Sequence, residues 1–419
     1  MGSLDGGNKD SQNQQYWIVA CGLTESNRDI VQEELCKSTK NVTQNMHVTG
    51  FDVPFSLKFG AFDDLIKLGD DLSKHDTNVE AVLRRVERLG LELGQSMEFR
   101  IIWQRSSFTV QQYLRNFSWD HARFPKERLM KENLNSLLQS VQKLDIDLRN
   151  KSAQFSELKT AVQNNYGKNM VEQTLGGVAN SSASGSGTVV VSGSLITRDL
   201  TDVITPESID ETDIINTEHI LTVFVIIPKG TRDAFISTYE SLDKYVVPKS
   251  AIIIPSISDK DGNEIVRVLL FRSSLENFKI ECKNRKYIVR DDFSYSREKY
   301  NNLITQREKL FQEKEKQEKY LKRMCFAGFS DIFISWIHIK AMRCFVEAVL
   351  RYGVPPKFAS FLLSMDNNPS KMKKIQTCIE KVFNEKGRVG ATYKSNDKDV
   401  DEEYTPYVLL QFSPHQQTI

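Results

Sequence analysis

From Met130 onward, apolar side chains fall at Met130, Leu134, Leu137, Val141, Leu144 and Leu148, then resume at Phe155, Leu158 and Val162. Steps of four and three place them along one edge of a helix, a heptad seam. Pro125 suits the first turn and Gly167 the end, which predicts about 42 residues, or roughly 63 Å at 1.5 Å per residue. A second long helix is predicted between Tyr295 and Met324. Tyr300, Leu303, Leu310, Leu321 and Met324 keep the same register there, interrupted by Arg307, Lys314 and Gln317. Fourteen of the thirty residues from Ser294 to Arg323 are charged, and Glu315 with Lys319 and Glu318 with Lys322 support a solvated helix at i,i+4. Such a helix needs a partner along its apolar edge, and the Met130 to Val162 seam is the one available.

Between these helices the period changes. HILTVFVIIP (219–228) has the length of a buried strand, and TRDAFISTYESLDKY is helical. SAIIIPSI and EIVRVLLFR are strands around the turn signal KDGN, SSLENFKIECKNRK is helical, and KYIVRD is a strand. The order β-α-β-β-α-β is that of a small α/β module, set as an insertion between an outgoing and a returning helix. The segments outside the helices must then meet with each other. The N-terminal one opens on the strand YWIVA, followed by helices near Ser26–Cys36, Ala61–Ser73 and Asn78–Leu93, the last opened by a capping box of Thr77 with Glu80. The C-terminal one holds a helix over Ser335–Gly353, stopped by Pro355 and Pro356, which set up the next helix. PPKFASFLL, SKMKKIQTCIEKVF and a strand-like PYVLLQF complete it. One split domain from both chain ends is expected, with its terminal strands pairing. The fold class is α+β, predominantly helical and elongated.

Composition narrows the function. At 419 residues the chain has room for two or three domains. Its 56 basic and 55 acidic residues leave a net charge of +1, so no global field draws nucleic acid, anionic membrane or acidic substrate. The longest nearly unbroken apolar run, Ile220 to Ile227, is far shorter than the roughly 20 residues of a membrane span. The polar start MGSLDGGNKDSQNQQ reads as a disordered tail rather than a signal peptide. Six cysteines never closer than fifteen residues form no CxxC pair and read as reduced cytosolic thiols. GGVANSSASGSGTVVVSGSL (176–195) reads as a flexible loop, and KSNDKDVDEE (394–403) as an acidic one.

No phosphate loop, HExxH or GxSxG motif occurs, and Gly185 with Gly187 lack the strand-glycine-helix setting that cradles phosphate. No cofactor, metal site or catalytic residue is assigned. In FDDLIKLGDDLSK the carboxylates of Asp63, Asp64, Asp70 and Asp71 invite an acid–base reading. Helical spacing instead puts Asp63, Lys67, Asp70 and Lys74 on one face of alternating charge, which reads as solvated. Trp103, Trp119 and Trp336 read as core or interface material, with no basic-aromatic interleaving of the kind an RNA-binding sheet shows.

The stretch SWIHIKAMRCFVEAVLRYGVPP (335–356) is mostly apolar yet charged. At 100° per residue, Lys340, Arg343, Glu347 and Arg351 line up on one stripe, and His338, Met342, Phe345 and Val349 on the opposite one. His338 therefore faces the core as a hydrogen-bonded histidine, and Cys344 lies about 120° away around the helix, poor geometry for a Cys-His dyad. The charged stripe has two readings: a solvated face with Glu347 and Arg351 paired, or a partner-docking surface anchored on Arg343 and Arg351.

FISWIHIKAMRCFVEAVLRYGVPP resembles the C-terminal signature of the V-type proton ATPase (vacuolar ATPase) C-subunit family. Further blocks resemble the family in order: YWIVA, FGAFDDLIKLGDDLSK, YLRNFSWDHARFP, GSLITRDLTDVI, EHILTVFVIIPK, YVVPKS and PYVLLQF, so that the resemblance spans about residues 14–413. The Gly/Ser-rich stretch looks longer than the family's usual connection. The resemblance implies a foot (14–125 with 325–419), a neck of two long antiparallel helices (126–168 with 294–324) and an α/β head (169–293), after a disordered tail (1–13). It implies a non-catalytic stator component of the soluble sector, cytoplasmic and peripheral on the cytosolic face of vacuolar and other endomembranes. The implied partners are peripheral stalks made of the E and G subunits, bound by head and foot, and the cytosolic N-terminal domain of the membrane a-subunit, bound by the foot. Release of such a bridge accompanies reversible disassembly of the pump. Two rival readings stand beside it: a nucleotide-binding regulator, which needs a pocket the sequence does not reveal, and a coiled-coil tether to actin, an association the family shows in some organisms.

Overall fold

The computed structural model describes residues 14–23, 27–40, 42, 46–94, 99–174, 189–191, 194–197, 199–201, 203–206, 208–259, 261–384 and 407–414. The expected tail at 1–13, most of the Gly/Ser stretch (176–188 and 192–193) and the acidic loop at 394–403 lie outside the described residues. In chain order the elements begin with β1 (Gln14–Gly22), α1 (Arg28–Lys40), β2 (His47–Gly50), α2 (Phe62–Glu92), β3 (Arg100–Trp103), β4 (Ser106–Thr109), α3 (Val110–Arg115) and α4 (Met130–Thr174). They continue with β5 (Val189–Val191), β6 (Ile220–Ile227), α5 (Arg232–Thr238), β7 (Ile252–Asp259), β8 (Glu264–Phe271), α6 (Leu275–Asn284) and β9 (Ile288–Arg290). Last come α7 (Arg297–Tyr352), β10 (Phe358–Asp366), α8 (Pro369–Asn384) and β11 (Val408–Phe412). The described residues thus form an α+β fold, predominantly helical. Two compact units divide the chain, Met1–Ser152 with Glu318–Ile419 and Ala153–Gln317, and α4 and α7 each contribute residues to both.

In the first unit a four-stranded antiparallel sheet has the order β11-β1-β10-β2, so both chain ends meet in it. Residues Tyr16 to Cys21 of β1 are all buried because helices cover both faces. Trp17, Val19 and Cys21 pack with Val31 and Leu35 of α1 and Ile375 and Ile379 of α8. Tyr16 and the following even-numbered positions face the other way, where the Tyr352 hydroxyl of α7 donates to the Ala20 carbonyl at 2.9 Å. A strand covered twice shows a continuous apolar run rather than alternation.

Three expectations are corrected. Phe358 to Asp366, expected to follow a helix-initiating pair of prolines, is strand β10. It pairs with β1 and β2 and is buried along Phe358 to Met365, a length and pattern suited to a central strand. The two helices expected over 61–93 are one helix of 31 residues. Leu65, Leu68, Leu72, Val79, Leu83 and Val86 keep one apolar seam through the predicted break. Thr77 caps nothing: its hydroxyl donates to the Ser73 carbonyl one turn back, at 3.3 Å, as a threonine inside a helix does. Finally, the helices expected over 295–324 and 335–353 are parts of a single 56-residue helix.

α4 starts at Met130, five residues after Pro125, and runs past Gly167 to Thr174. The Met130 amide donates to the Lys58 carbonyl at 2.8 Å, and the Asn133 side chain donates to the Pro125 carbonyl at 2.9 Å, so the chain before the helix is tied down at both ends. Met130, Leu134, Leu137, Val141 and Leu148 of the predicted seam are buried, as is Val162 in the second unit.

The second unit contains the predicted β-α-β-β-α-β order as β6-α5-β7-β8-α6-β9. Its sheet order is β5-β7-β8-β6-β9, with β8 antiparallel between β7 and β6 and β9 antiparallel to β6: a split β-α-β arrangement extended by β5, which runs parallel to β7. Val223, Val225, Val266 and Val268 pack against Phe235, Phe278 and Cys282 of α5 and α6. Phe224, Ile226 and Ile265 on the other face pack against Leu195, Leu200 and Ile204. The end of the stretch expected as a loop is therefore ordered: β5 is a strand and Leu195 is fully buried. Asp259 fixes it in place, accepting hydrogen bonds from the amides of Leu195 (3.2 Å), Asp261 (3.0 Å) and Asn263 (2.8 Å) and from Asn263 Nδ2 (2.8 Å). Arg290 Nη1 holds the Leu195 carbonyl at 2.7 Å from the other side.

Candidate functional site

α7 is buried on almost every side from Phe329 to Val349, the pattern of a central helix rather than a surface one. The sheet covers it through Phe345 and Phe358, whose ring centroids are 6.4 Å apart. β3 covers it through the Ile102 amide, which donates to Ser330 Oγ at 2.8 Å. α2 lies along the charged stripe, and that contact decides the chemistry of Lys340.

The α2 seam advances from Leu72 to Val79, and the position between them is Asp76, 4% exposed. Lys340, 3% exposed, directs Nζ to Asp76 Oδ1 at 3.0 Å and Oδ2 at 3.1 Å. Trp336 Nε1 donates to Oδ1 at 2.7 Å, and Arg343 Nη1 donates to Oδ2. The Lys340 ammonium also lies over two rings, 4.4 Å from the Trp336 centroid and 4.9 Å from that of Phe412. Burial pushes the Lys340 amine below its ordinary value, and the charge and hydrogen bonds of Asp76 oppose that shift. Beyond Arg343 the pairing continues: Arg343 Nη2 lies 3.9 Å from Glu347 Oε1, and Arg351 Nη1 lies 3.0 Å from Glu347 Oε2. The stripe is thus not a solvated face. Lys340 is an interior counter-ion, while Arg343, Glu347 and Arg351, each about a quarter exposed, run outward from it in alternating sign.

His338 sits where the helical projection places it, in the core and fully buried. Its Nδ1 meets the Ile334 carbonyl at 2.7 Å and so carries the proton; Nε2 accepts from the Asp120 amide at 3.0 Å. Rings of Phe117, Trp119 and Phe124 surround it at 5.3, 5.0 and 4.8 Å. Burial brings its pKa down to about 4, against a smaller upward pull from Ile334, so the ring is neutral at pH 7. Both nitrogens are engaged, and burial pushes the Cys344 thiol far up, away from a reactive thiolate. Asp63, Asp64, Asp70 and Asp71 are exposed, and Asp64 accepts from the Ala61 amide at 3.3 Å. Among the described residues no three of His, Cys, Asp and Glu gather as a metal requires. All six cysteines are free thiols.

Sequence reasoning missed Asp76 and Arg84. Asp76 had a signal: midway between Leu72 and Val79 it holds a seam position of α2 where an apolar residue is expected, and with Glu87 it is one of two carboxylates that α2 buries. Arg84 had none, since its role depends on the far end of the chain, where it donates to the carbonyls of Ser413 and Pro414.

A family model described as the C subunit of V-ATPase matches residues 16–408. The C 1 subunit of the V-type proton ATPase of Mus musculus is 28% identical over 406 residues, covering 95% of this chain and 97% of that protein. The C subunit of the V-type proton ATPase of Dictyostelium discoideum is 28% identical over 407 residues, covering 96% and 98%. The C 1 subunit of Xenopus laevis is 27% identical over 405 residues, covering 95% and 97%.

Proposed function

The chain belongs to the V-ATPase C-subunit family, and from that premise we propose that it is a non-catalytic stator component of the pump's soluble sector. In this reading the foot (14–125 with 325–419) and the head (169–293) each bind a peripheral stalk made of the E and G subunits. The neck helices (126–168 with 294–324) hold those ends apart, and the foot also binds the cytosolic N-terminal domain of the a-subunit. The chain then works on the cytosolic face of endomembranes. No helix among the described residues is long and apolar enough to cross a bilayer, so membrane attachment through partners fits this reading.

The observation that carries the proposal is the family match across nearly the whole chain, joined to relatives of the same length. Two compact units with separate cores supply a physical rationale. Two interfaces on one chain raise each other's effective concentration, so weak individual contacts hold together and loss of either speeds release. That is what reversible assembly requires. Within the α7 stripe, docking falls to Arg343, Glu347 and Arg351, because Lys340 is buried against Asp76, whereas Arg343, which also pairs with Asp76, stays about a quarter exposed, as do Glu347 and Arg351.

Mixing the full chain with purified E–G heterodimers and with the cytosolic domain of the a-subunit, followed by native mass spectrometry, tests this. The expected result is two heterodimers per chain and a separate complex with the a-subunit domain, the stripe-dependent contact weakened by Arg351→Glu. Absence of both complexes sinks the bridging function. Normal binding by Arg351→Glu removes only the stripe.

A further inference from the structure

Among the described residues β11 is an edge strand, hydrogen-bonded on one side to β1 from Val408 to Phe412. An edge strand leaves one row of its backbone groups outside the ladder, and segments with more exposed backbone hydrogen bonds open before the core of a fold. Its last residue nevertheless reaches Lys340, the least exposed charged residue described in the first unit. The Phe412 ring stacks on Tyr16 at 5.7 Å, meets Trp336 nearly perpendicular at 5.4 Å and lies 4.9 Å from Lys340 Nζ. Behind it, Arg84 donates to the carbonyls of Ser413 and Pro414, and Ser413 Oγ donates to Gln15 Oε1 at 2.6 Å. Arg84 stands on α2, about 12 Å along the helix from Asp76 at 1.5 Å per residue, and lies 5.7 Å over the Trp336 ring. The helix that supplies the carboxylate therefore also anchors the strand that covers its partner.

From this arrangement we infer that β11 is a detachable cap strand, and that its docking and the exclusion of water from the Asp76–Lys340 pair are one coupled event. With Phe412 in place, the ammonium has Asp76 and two ring faces as neighbours, and the pair works in a low dielectric. With Phe412 away, water reaches Nζ, restores its hydration and reduces the pair to the strength of a surface one. Linkage makes the coupling reciprocal: whatever weakens the pair loosens the strand by the same free energy. Undocking also frees the outward edge of β1 from Tyr16 to Ala20 and presents a lysine charge that the docked chain hides.

Acylation of lysines in the native full-length chain at pH 8, read by peptide mass spectrometry, reports water at Lys340, and amide exchange on the same samples reports β11. In the unmodified protein, residues 408–412 exchange before residues 358–366 of β10, and Lys340 is acylated slowly. Phe412→Leu removes the ring face while keeping apolar volume, and Arg84→Gln removes the anchor. Each raises both β11 exchange and Lys340 acylation roughly tenfold, the size of one desolvated cation–ring contact, and leaves β10 exchange unchanged. The anchor lies outside the Phe412 contacts, so Arg84→Gln decides the matter even if Phe412→Leu fails to fold. Three results overturn the inference: β11 and β10 exchange at one rate in every protein; β11 exchange rises while Lys340 acylation stays flat; or neither rate responds to Arg84→Gln.

Discussion

Replacing Asp76 by alanine leaves the Lys340 ammonium buried against ring faces, with its carboxylate partner gone. Breaking a buried pair by removing one member costs about 3–5 kcal/mol, because the remaining charge is left uncompensated. Alanine's better helix propensity returns at most about 0.7 kcal/mol at position 76 of α2. The net loss is then about 3 kcal/mol, or about 6–12 °C in melting temperature for a unit of this size. Removing the other partner is milder. In Lys340→Met the carboxylate keeps Trp336 Nε1 and Arg343 Nη1, so about 1.5–3 kcal/mol is expected, the worth of a lost hydrogen bond to a charged group. The double variant Asp76→Ala with Lys340→Met is the sharper test, since it buries no unpaired ammonium and is more stable than Asp76→Ala alone. A pH series adds a signature. In Asp76→Ala the Lys340 pKa falls further below its unfolded value, near 10.4. Between the two values the unfolded chain holds a proton the folded one lacks, so this variant gains stability relative to wild type as pH rises from 7 to 10. Urea titrations followed by tryptophan fluorescence measure all three proteins. Additive losses, with the double variant less stable than Asp76→Ala by the full Lys340→Met decrement, would refute the reasoning.

The remaining expectations concern other buried groups. His338 titrates near 6.5 unfolded and about 4 folded, so the unfolded chain takes up the proton first and stability is lost as pH falls from 6.5 toward 4. In urea titrations at pH 7 and 4.5 the advantage of wild type over His338→Met shrinks by about 2 kcal/mol; a constant gap excludes the neutral, doubly bonded ring. Asp259→Ala leaves the amides of Leu195, Asp261 and Asn263 without their carboxylate, and about 3 kcal/mol is lost from the second unit. Faster exchange at the Leu195 amide checks that loss; unchanged exchange there contradicts it. Burial pushes Cys282 up to about 12 and Cys325 to about 11, and Cys344 higher still. A thiol reagent at pH 8 therefore labels Cys36 and Cys378 in the native chain, and all six cysteines only in denaturant; rapid native labelling of Cys344 speaks against a closed α7 core.

What the sequence determined by itself is whatever depends on neighbours a few residues apart. The four-and-three spacing from Met130 to Leu148 marks a helix edge that is buried, and the shift from helical to strand period over 219–290 delineates the elements of the second unit. It also places His338 toward the core, because a rotation of 100° per residue needs no knowledge of the partner. Local spacing does not say what covers the opposite face. The stripe of Lys340, Arg343, Glu347 and Arg351 reads as solvent-facing if α7 is a surface helix, and α7 is a central one. Its neighbour there is α2, and the residue that neutralises Lys340 lies 264 positions earlier in the chain. The strand β10 and the unbroken α2 escaped for the same reason: prolines and a Thr-Glu pair are local signals, overruled by pairing with β1 and by a seam packed against distant side chains. Only the tertiary structure decided that a lysine in an apolar helix is an interior counter-ion, because the free energy of a buried charge depends on what is packed around it, not on its neighbours in sequence.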